Sequence, residues 1–311
     1  MSDQLTQHLM MIRPVSFFKN EETSTNNYYQ KETRLIPAEI QKRALSEFDG
    51  LVDLLRREEV DVHVIEDTQS PATPDSIFPN NWISFHENGN IILYPMYAVN
   101  RRLERRMDVI ETISEKFIVL SIEHDLLLHE ESNEFLEGTG SLILDRTNHT
   151  AFAAYSERTH LELINKFQSI TDFKVITFSA FHTVGQERLP IYHTNVMMSV
   201  GEQFAVICAD AIDDLFERLS VIDHLENLNK EIILISESQV NNFAGNVLQI
   251  KNAQGSPLIV MSTRAHASLS LNQKKSLSKH GKLIHSNLET IETLGGGSAR
   301  CMIAEIFLTP K

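Results

Sequence analysis

Residues 193–210 read HTNVMMSVGEQFAVICAD and carry the pattern that decides the fold. A polar segment precedes one apolar run, a break follows at Gly201-Glu202, and a second apolar run leads to Asp210. Glycine-containing polar breaks between two β-rich runs are typical of β-hairpins. The stretch therefore predicts two antiparallel strands that begin beside His193.

The same pattern recurs along the chain at nearly regular intervals. Further hairpins are predicted over residues 81–96, 138–156, 244–262 and 298–310. When the five segments are aligned at the start of their first strands, the aligned positions are 58, 56, 51 and 54 residues apart. These positions are Asn81, Thr139, Asn195, Asn246 and Arg300. So regular a spacing indicates repeated supersecondary units.

Amphipathic stretches with apolar residues three and four apart lie between the hairpins and predict helices. They cover residues 38–60, 101–117, 157–170, 212–229 and 272–280. Each unit is thus predicted to run strand, strand, helix, strand. The apolar segment 8–18 has no hairpin partner, and the last hairpin has no third strand. Pairing the two ends of the chain closes a ring of five units without an exposed sheet edge.

The composition limits the classes of function. A net charge of −14 over 311 residues argues against a nucleic-acid or anionic-membrane surface, because both require a positive field. No apolar run approaches the ~20 residues of a membrane span and no export signal is visible, so we expect a cytoplasmic protein. The thirteen histidines show no metal-binding spacing, and we predict no metal site.

One of the two cysteines follows a glycine run, in LGGGSARC at residues 294–301. A nucleophilic thiol needs local backbone curvature to reach a flat carbon, and glycine permits such curvature at low steric cost. Cys301 is therefore a candidate nucleophile. The alternative is a small core residue, which a cysteine beside Met302 and Ile303 also fits.

Five units around one axis would bring the starts of their first strands together. His193 occupies this place in the third unit, and Glu137 lies just ahead of it in the second. A histidine beside a cysteine can hold the thiolate and act as acid and base, while a carboxylate can orient substrate nitrogens. Taken singly, a core histidine and a turn acid are the alternatives.

The chain resembles the guanidine-modifying enzymes of the arginine deiminase, dimethylarginine hydrolase and amidinotransferase group, the pentein superfamily. The resemblance covers essentially the whole length and rests on ordered motifs. These are PDSIFPNN at 74–81, FLEGTGSLIL at 135–144, SERT at 156–159, YHTN at 192–195 and GGGSARC at 295–301. The stretches FFKNEETSTNNYYQK and FPNNWISFH resemble the citrulline utilization hydrolases, an amidinotransferase-like subgroup. The resemblance implies a five-bladed pseudo-symmetric α/β propeller of ββαβ units, with residues 1–311 as one catalytic domain.

The resemblance also implies roles for individual residues. Cys301 would be the nucleophile, His193 the acid and base, and Glu137 a group that holds the substrate nitrogens. The substrate-binding residues would be Asp75, Asn80, Asn81 and Arg158. Arg102 is a further candidate because it follows the second strand of the first unit, and the two arginines would bind the carboxylate of an amino acid. No cofactor is implied. The expected partner is a small-molecule amino acid, and a homodimer is left open.

The motif at 74–81 departs from the family pattern: Asn81 stands where the deiminases place a carboxylate, and Asn80 stands where the dimethylarginine hydrolases carry an acid. Burying a guanidinium without a carboxylate costs several kcal/mol, whereas an amide offers a donor and an acceptor to a neutral ureido group. We therefore expect hydrolysis of citrulline to ornithine, carbon dioxide and ammonia. The alternatives are a guanidine hydrolase or amidinotransferase acting on arginine, dimethylarginine or an analogue, and a non-catalytic propeller that only binds.

Overall fold

The computed structural model describes residues 3–311. Its strands are β1 (His8–Arg13), β2 (Asp61–Glu66), β3 (Ile83–Phe85), β4 (Asn90–Leu93), β5 (Ser121–Glu123), β6 (Ile143–Asp145), β7 (Thr150–Tyr155), β8 (Lys174–Ser179), β9 (Phe181–Val184), β10 (Glu187–Pro190), β11 (Met198–Val200), β12 (Phe204–Ile207), β13 (Glu231–Leu234), β14 (Leu248–Lys251), β15 (Pro257–Ser262), β16 (Lys282–Ser286) and β17 (Ala304–Glu305).

The α-helices are α1 (Glu21–Ser24), α2 (Pro37–Arg57), α3 (Met107–Lys116), α4 (Gly138–Ser141), α5 (Leu161–Ile170), α6 (Leu215–Asn227), α7 (Glu237–Val240), α8 (Thr263–Ser268), α9 (Leu271–Leu277) and α10 (Glu289–Gly295). Short 3-10 helices span Pro79–Asn81, Val99–Glu104, Asp125–Ser132, Thr194–Val196 and Ala209–Ala211. Across the described part of the chain, no helix is both long and apolar enough to cross a membrane.

The sheets repeat one topology. Three-stranded sheets form from β3-β4-β5, β6-β7-β8, β11-β12-β13, β14-β15-β16 and β17-β1-β2. In each sheet the first two strands are antiparallel and the last two are parallel, with a helix before the third strand. This is the predicted order of strand, strand, helix, strand, and it confirms a mixed α/β fold.

The sheet β17-β1-β2 is assembled from both ends of the chain. Leu9 of β1 pairs antiparallel with Glu305, while β1 also runs parallel to β2 over its whole length. Residues 9 to 12 of β1 are buried. The predicted pairing of the N-terminal strand with the C-terminal segment is therefore present.

The segment 298–310 differs from the predicted hairpin. Residues 299–302 form a turn, closed by a hydrogen bond of 2.9 Å from the Cys301 amide to the Ser298 carbonyl, and only β17 follows as a strand. The turn is formed by residues that were predicted to be the first strand of the hairpin. The strand next to β17 is instead β1. The hairpin of β9 and β10 and the helix α10 were not predicted.

Helix α2 shows how the helices pack against the sheets. Its buried residues Ala44, Phe48, Leu51 and Leu55 recur at spacings of three and four, which places them on one face. They join the apolar cluster that contains Leu9 of β1. Burying each large side chain contributes about 1.5–3 kcal/mol, so α2 fixes the sheet formed by the two chain ends.

Candidate active site

The polar residues that begin or precede the first strands meet, as the repeat predicted. The Asn246 side-chain amide donates to the Asn195 carbonyl at 3.0 Å, and its oxygen accepts from the Arg300 amide at 3.1 Å. Gly140, beside Thr139, has no room for a side chain, because a Cβ there would lie 2.9 Å from the His193 ring. These contacts bring four of the five repeat units to one place.

Cys301 lies in this centre and is only 3% exposed. Its Sγ accepts hydrogen bonds from the side-chain amides of Asn195, at 3.3 Å, and Asn246, at 3.2 Å. Two N–H donors on one sulphur stabilise negative charge there, as a thiolate nucleophile requires. Sequence reasoning used both asparagines only as markers of the repeat and did not assign them to the site.

The turn before Cys301 requires glycine for reasons of space and conformation. Gly296 ends α10 with a φ of +67°, and a Cβ there would meet the Asn27 side chain at 2.6 Å. A Cβ on Gly297 would lie 2.8 Å from the Phe78 ring. The glycine run therefore lets the loop before Cys301 pack closely against its neighbours.

His193 and Glu137 form a buried pair, with His193 Nε2 2.7 Å from Glu137 Oε2. Burial is the largest influence on the histidine and lowers the pKa of His193 to about 4, although Glu137 opposes this shift. The imidazole is therefore neutral at pH 7. Because the ionised carboxylate only accepts, Nε2 carries the ring proton and Nδ1 remains an acceptor.

Glu137 is ionised although it is fully buried. Burial alone would raise its pKa, but the positive charge of Arg158, the hydrogen bond from His193 and the charge of Arg101 together lower the pKa well below its usual range. Its Oε1 also accepts from the Tyr97 amide at 2.9 Å. Glu137 is thus a fixed negative charge behind His193.

Asn81 has a defined amide orientation. Arg101 Nη1 donates to Asn81 Oδ1 at 2.8 Å, and a guanidinium has no acceptor, so the oxygen of the amide must face Arg101. Asn81 Nδ2 therefore faces away from Arg101, and it has no hydrogen-bond partner among the described residues. Arg101 is held by Glu104 through two bonds of 2.9 Å. Burial raises the pKa of Glu104 to about 7, against the opposing charge of Arg101.

Asp75 contributes a carboxylate to the cavity beside Cys301. Its Oδ2 accepts from Asn20 at 2.8 Å and from Thr23 at 3.1 Å. Within residues 3–311, its buried Oδ1 has no hydrogen-bond partner. One carboxylate oxygen is thus open to a substrate N–H.

The predicted binding residues divide into two groups. Asp75, Asn81 and Arg158 line the cavity together with Cys301 and His193. Asn80 does not line it, and its amide donates to Thr139 Oγ1 at 3.3 Å.

Arg102 also lies outside the cavity, contrary to prediction. Its side chain is 25% exposed, donates to the Met96 carbonyl at 3.1 Å and lies over the Phe135 ring. Arg101 faces the cavity instead. The two arginines are neighbours in a 3-10 helix, where successive side chains point about 120° apart, so only one of them can face inward.

Residues 20–30 cover the site. Arg158 donates to the Thr23 carbonyl at 3.0 Å and to the Asn26 side chain, and Asn27 donates to the Gly295 carbonyl at 3.2 Å. The remaining cavity beside Cys301 measures about 10 Å³, room for about one water molecule. In this conformation the cavity is too small for an amino acid.

The other cysteine lies apart from this site. Cys208 is fully buried at the end of β12, and burial raises the pKa of its thiol to about 11. Such a thiol is a poor nucleophile at neutral pH. Cys301 is therefore the better candidate of the two.

Comparisons with known proteins agree with this arrangement. The sequence profile of a family described as N,N dimethylarginine dimethylhydrolase, eukaryotic, matches residues 13–308. No curated protein sequence matches the chain significantly. The ligand-free structure of ArgZ, an arginine dihydrolase of cyanobacteria, has 17% identity and a TM-score of 0.72, and the match covers 96% of this chain and 40% of ArgZ.

Two further structures are similar over their whole length. The N-terminal domain of ArgZ bound to its product has 18% identity and a TM-score of 0.70, with 96% of this chain and 97% of the domain covered. A histidine variant of dimethylarginine dimethylaminohydrolase, in an adduct with S-methyl-L-thiocitrulline, has 13% identity and a TM-score of 0.62, with 97% and 100% covered. At these identities the structures show a shared fold. Together with the profile match over residues 13–308, they show that the chain belongs to the N,N dimethylarginine dimethylhydrolase family, within the pentein superfamily.

Proposed function

We propose that the protein is a cysteine-dependent hydrolase that converts citrulline to ornithine, carbon dioxide and ammonia. Residues 1–311 would act as one catalytic domain, with the five sheets as blades of a propeller, in the cytoplasm and without a cofactor. The observation that carries the choice of substrate is the orientation of the Asn81 amide. Membership of a family of guanidine-modifying hydrolases supports the reaction class.

The amide argument depends on which groups can donate. Asn81 directs its NH₂ group away from Arg101, so the group that it offers a substrate is a donor. The ureido oxygen of citrulline accepts such a bond. A guanidinium presents only N–H donors and gains nothing from it. The site thus favours the neutral ureido group at this position.

The chemistry needs only the side chains of the cavity. His193 Nδ1 takes the thiol proton of Cys301, and the thiolate attacks the ureido carbon. The C–N bond to the ornithine side chain breaks, and the imidazolium returns the proton to the departing amine. A water then gives its proton to His193 and attacks the thiocarbamoyl group, which releases the thiol and carbamate. Carbamate decomposes to carbon dioxide and ammonia.

Two charged residues would hold the substrate during these steps. The open oxygen of Asp75 accepts an N–H bond from the ureido group. Glu137 would orient His193 and not hold the substrate nitrogens as predicted, because its oxygens accept from His193 and the Tyr97 amide and it does not line the cavity. Arg158 binds the α-carboxylate with the donors that Thr23 and Asn26 occupy while the site is covered. Release of these contacts would couple substrate entry to the movement of residues 20–30.

Arginine or a methylated arginine is the second candidate substrate. The buried Asp75 oxygen without a partner favours a cation, because it supplies the carboxylate that Asn80 and Asn81 lack. ArgZ is an arginine dihydrolase and the matching family is described as a dimethylarginine dimethylhydrolase, which supports the same alternative. An amine that reaches the covalent intermediate instead of water would make the reaction an amidinotransfer.

Product analysis distinguishes these substrates. The purified protein would be incubated separately with citrulline, arginine, dimethylarginine and agmatine, and the products identified by mass spectrometry. We expect ornithine from citrulline, and no product from any substrate with Cys301→Ser. Citrulline formed from arginine or dimethylarginine, with citrulline itself unchanged, would contradict the proposal.

A further inference from the structure

Two histidines and an aspartate converge on the sheet that is made from both chain ends. His8 of β1 lies directly opposite Asp61 of β2 in the parallel register, and His63 projects from the same face of β2 as Asp61, two residues further on. His8 Nδ1 lies 2.8 Å and His63 Nε2 lies 3.0 Å from the same oxygen, Asp61 Oδ2. The two histidines are 55 residues apart in the chain, so no local spacing reveals the cluster, and the sequence predicted no metal site.

The contact between His63 and Asp61 is not an ordinary hydrogen bond. The His63 side chain is only 8% exposed, and its Nε2 has no hydrogen-bond partner among residues 3–311, although Asp61 Oδ2 is 3.0 Å away. The two atoms are therefore close without being aligned as donor and acceptor. A buried ring nitrogen without a hydrogen bond is costly, whereas two ligands of one metal ion lie side by side in this manner.

The neighbouring side chains fix the orientation of both imidazole rings. The buried Phe117 ring packs edge-on against them, with its centre 5.2 Å from the centre of the His8 ring and 5.3 Å from that of the His63 ring. The Gln7 side-chain amide lies 3.2 Å from His8 Nε2. When Nδ1 of this ring binds a metal ion, Nε2 carries the proton, and the amide can accept it by turning its oxygen toward the ring. The ligand atoms are thus held together before an ion arrives.

The charges around the cluster oppose each other. The Asp61 carboxylate attracts a cation, and its side chain is half exposed, so an ion can reach it from solvent. Lys116 opposes a cation, because its Nζ lies 3.2 Å from His63 Nδ1. A His63 ring that binds an ion through Nε2 carries its proton on Nδ1 and cannot accept from Lys116. The ammonium group would then turn away, which is possible because Lys116 is exposed at the end of α3.

We propose that His8, Asp61 and His63 bind one Zn²⁺ ion through His8 Nδ1, His63 Nε2 and a carboxylate oxygen, with water as the fourth ligand. Bond lengths of about 2.0–2.1 Å place the ligand atoms of a tetrahedral zinc ion roughly 3.3 Å apart. The three atoms here lie within 4.8 Å of one another, so small side-chain movements suffice. Two imidazoles favour zinc over Mg²⁺ and Ca²⁺, which prefer oxygen ligands. The ion would cross-link β1 to β2, and none of its ligands lines the cavity beside Cys301.

Calorimetric titration of the full-length protein with zinc chloride tests the site, after a chelator has removed bound metal. The parent chain carries Cys301→Ser, because the thiolate and His193 could otherwise bind zinc in the candidate active site. We expect one Zn²⁺ per chain. The melting temperature should be higher with zinc than without it, because an ion that binds only the folded chain stabilises that chain. No zinc binding by the parent chain would overturn the proposal.

Four variants of the parent chain locate the ion. Asp61→Ala, at an exposed position, and His63→Gln each remove one ligand and should weaken zinc binding by roughly a factor of ten or more. Lys116→Gln removes the opposing charge and should tighten binding. His129→Ala removes a different histidine–carboxylate pair and should bind zinc like the parent. Asp61→Ala keeps the test valid if His63→Gln fails to fold. Unchanged zinc affinity in Asp61→Ala would refute the site, whatever the product analysis gives.

Discussion

At the residue scale, the two asparagines that donate to the Cys301 sulphur differ in the other hydrogen bonds that they make. Asn246 also binds the backbone of Asn195 and Arg300, so its loss would disturb the loop as well as the sulphur. The Asn195 side chain donates to the sulphur, and its oxygen has no partner in the described part of the chain. Asn195 is therefore the cleaner position at which to test stabilisation of a thiolate.

We predict that Asn195→Ala lowers kcat/KM about 10- to 100-fold with little change in melting temperature. A hydrogen bond to a charged group contributes about 1.5–3 kcal/mol, and each 1.4 kcal/mol is a factor of ten in rate. Steady-state kinetics on citrulline measures the loss. Asn241→Ala, at an exposed position, is the matched control and should retain full activity. Full activity of Asn195→Ala would mean that the amide does not stabilise the reacting sulphur.

Asn81→Asp tests the amide argument directly. The new carboxylate would pair with Arg101 and put an acceptor where the wild type has a donor, so it should repel the ureido oxygen and attract a guanidinium. We expect the ratio of kcat/KM for arginine over citrulline to rise by roughly one to two powers of ten. Asn80→Asp, outside the cavity, should leave the ratio unchanged. A shift of less than about twofold in Asn81→Asp would remove the main support for a neutral substrate.

At the element scale, a buried acid on α10 is hydrogen-bonded to the loop that contains Cys301. Glu292 Oε1 accepts from Ser298 Oγ at 2.6 Å, which links the helix to the turn that holds Cys301. Burial raises the pKa of Glu292 to about 7, although hydrogen bonds from Ser262 and Ser298 oppose the shift. The helix that is linked to the Cys301 turn thus contains a carboxyl group whose charge changes near neutral pH.

We predict that Glu292→Gln stabilises the fold at alkaline pH. The folded wild type keeps a proton on Glu292 that the unfolded chain releases above its ordinary pKa of 4.5, so this group's contribution to stability is lost as pH rises from about 4.5 to about 7. Glutamine can keep the bond to Ser298 and never ionises. Denaturant unfolding should show a gain on the order of 3 kcal/mol at pH 8, and little difference at pH 4.5. A pH-independent difference would mean that Glu292 does not titrate in this range.

On the scale of the whole molecule, the described structure depends on the sheet made from both chain ends. We predict that deletion of residues 1–17 gives an insoluble or unfolded protein, because β1 is the central strand of that sheet and its loss exposes an edge of both β2 and β17. Size-exclusion chromatography and thermal melting measure the effect. Phe18→Ser, at an exposed apolar residue just beyond the deletion, should leave both unchanged. A soluble, monodisperse deletion variant with the wild-type melting temperature would contradict this role of β1.

The sequence was sufficient to predict the repeat, because hairpin breaks and helical spacing are local properties. It also predicted that Cys301, His193 and Glu137 would meet, since the repeat period aligned the starts of the strands. The prediction of a hairpin over residues 298–310 was wrong because the turn at Cys301 forms where the apolar pattern indicated a strand. The strand beside β17 is β1, from the other end of the chain, and a local sequence pattern does not encode such a distant pairing.

The choice between Arg101 and Arg102 could not be made from the sequence, because it depends on the phase of a 3-10 helix that no apolar pattern defines. The roles of Asn195 and Asn246 had a signal that was not used. Each is a polar amide at the start of an apolar strand, in register with Asn81. Buried side-chain amides are almost always hydrogen-bonded, so several amides at aligned strand starts indicate that polar groups meet there.

The pairing of β1 with β17 can form only when synthesis of the chain is almost complete. Leu9 and Glu305 are 296 residues apart in the chain. At 5 to 20 residues per second, a ribosome needs roughly 15 to 60 seconds to supply the second after the first. Through that interval the apolar strand β1 has one open edge and can pair wrongly. Cys301 emerges only four residues before Glu305, so a chain terminated before residue 301 would lack both the proposed nucleophile and the last strand.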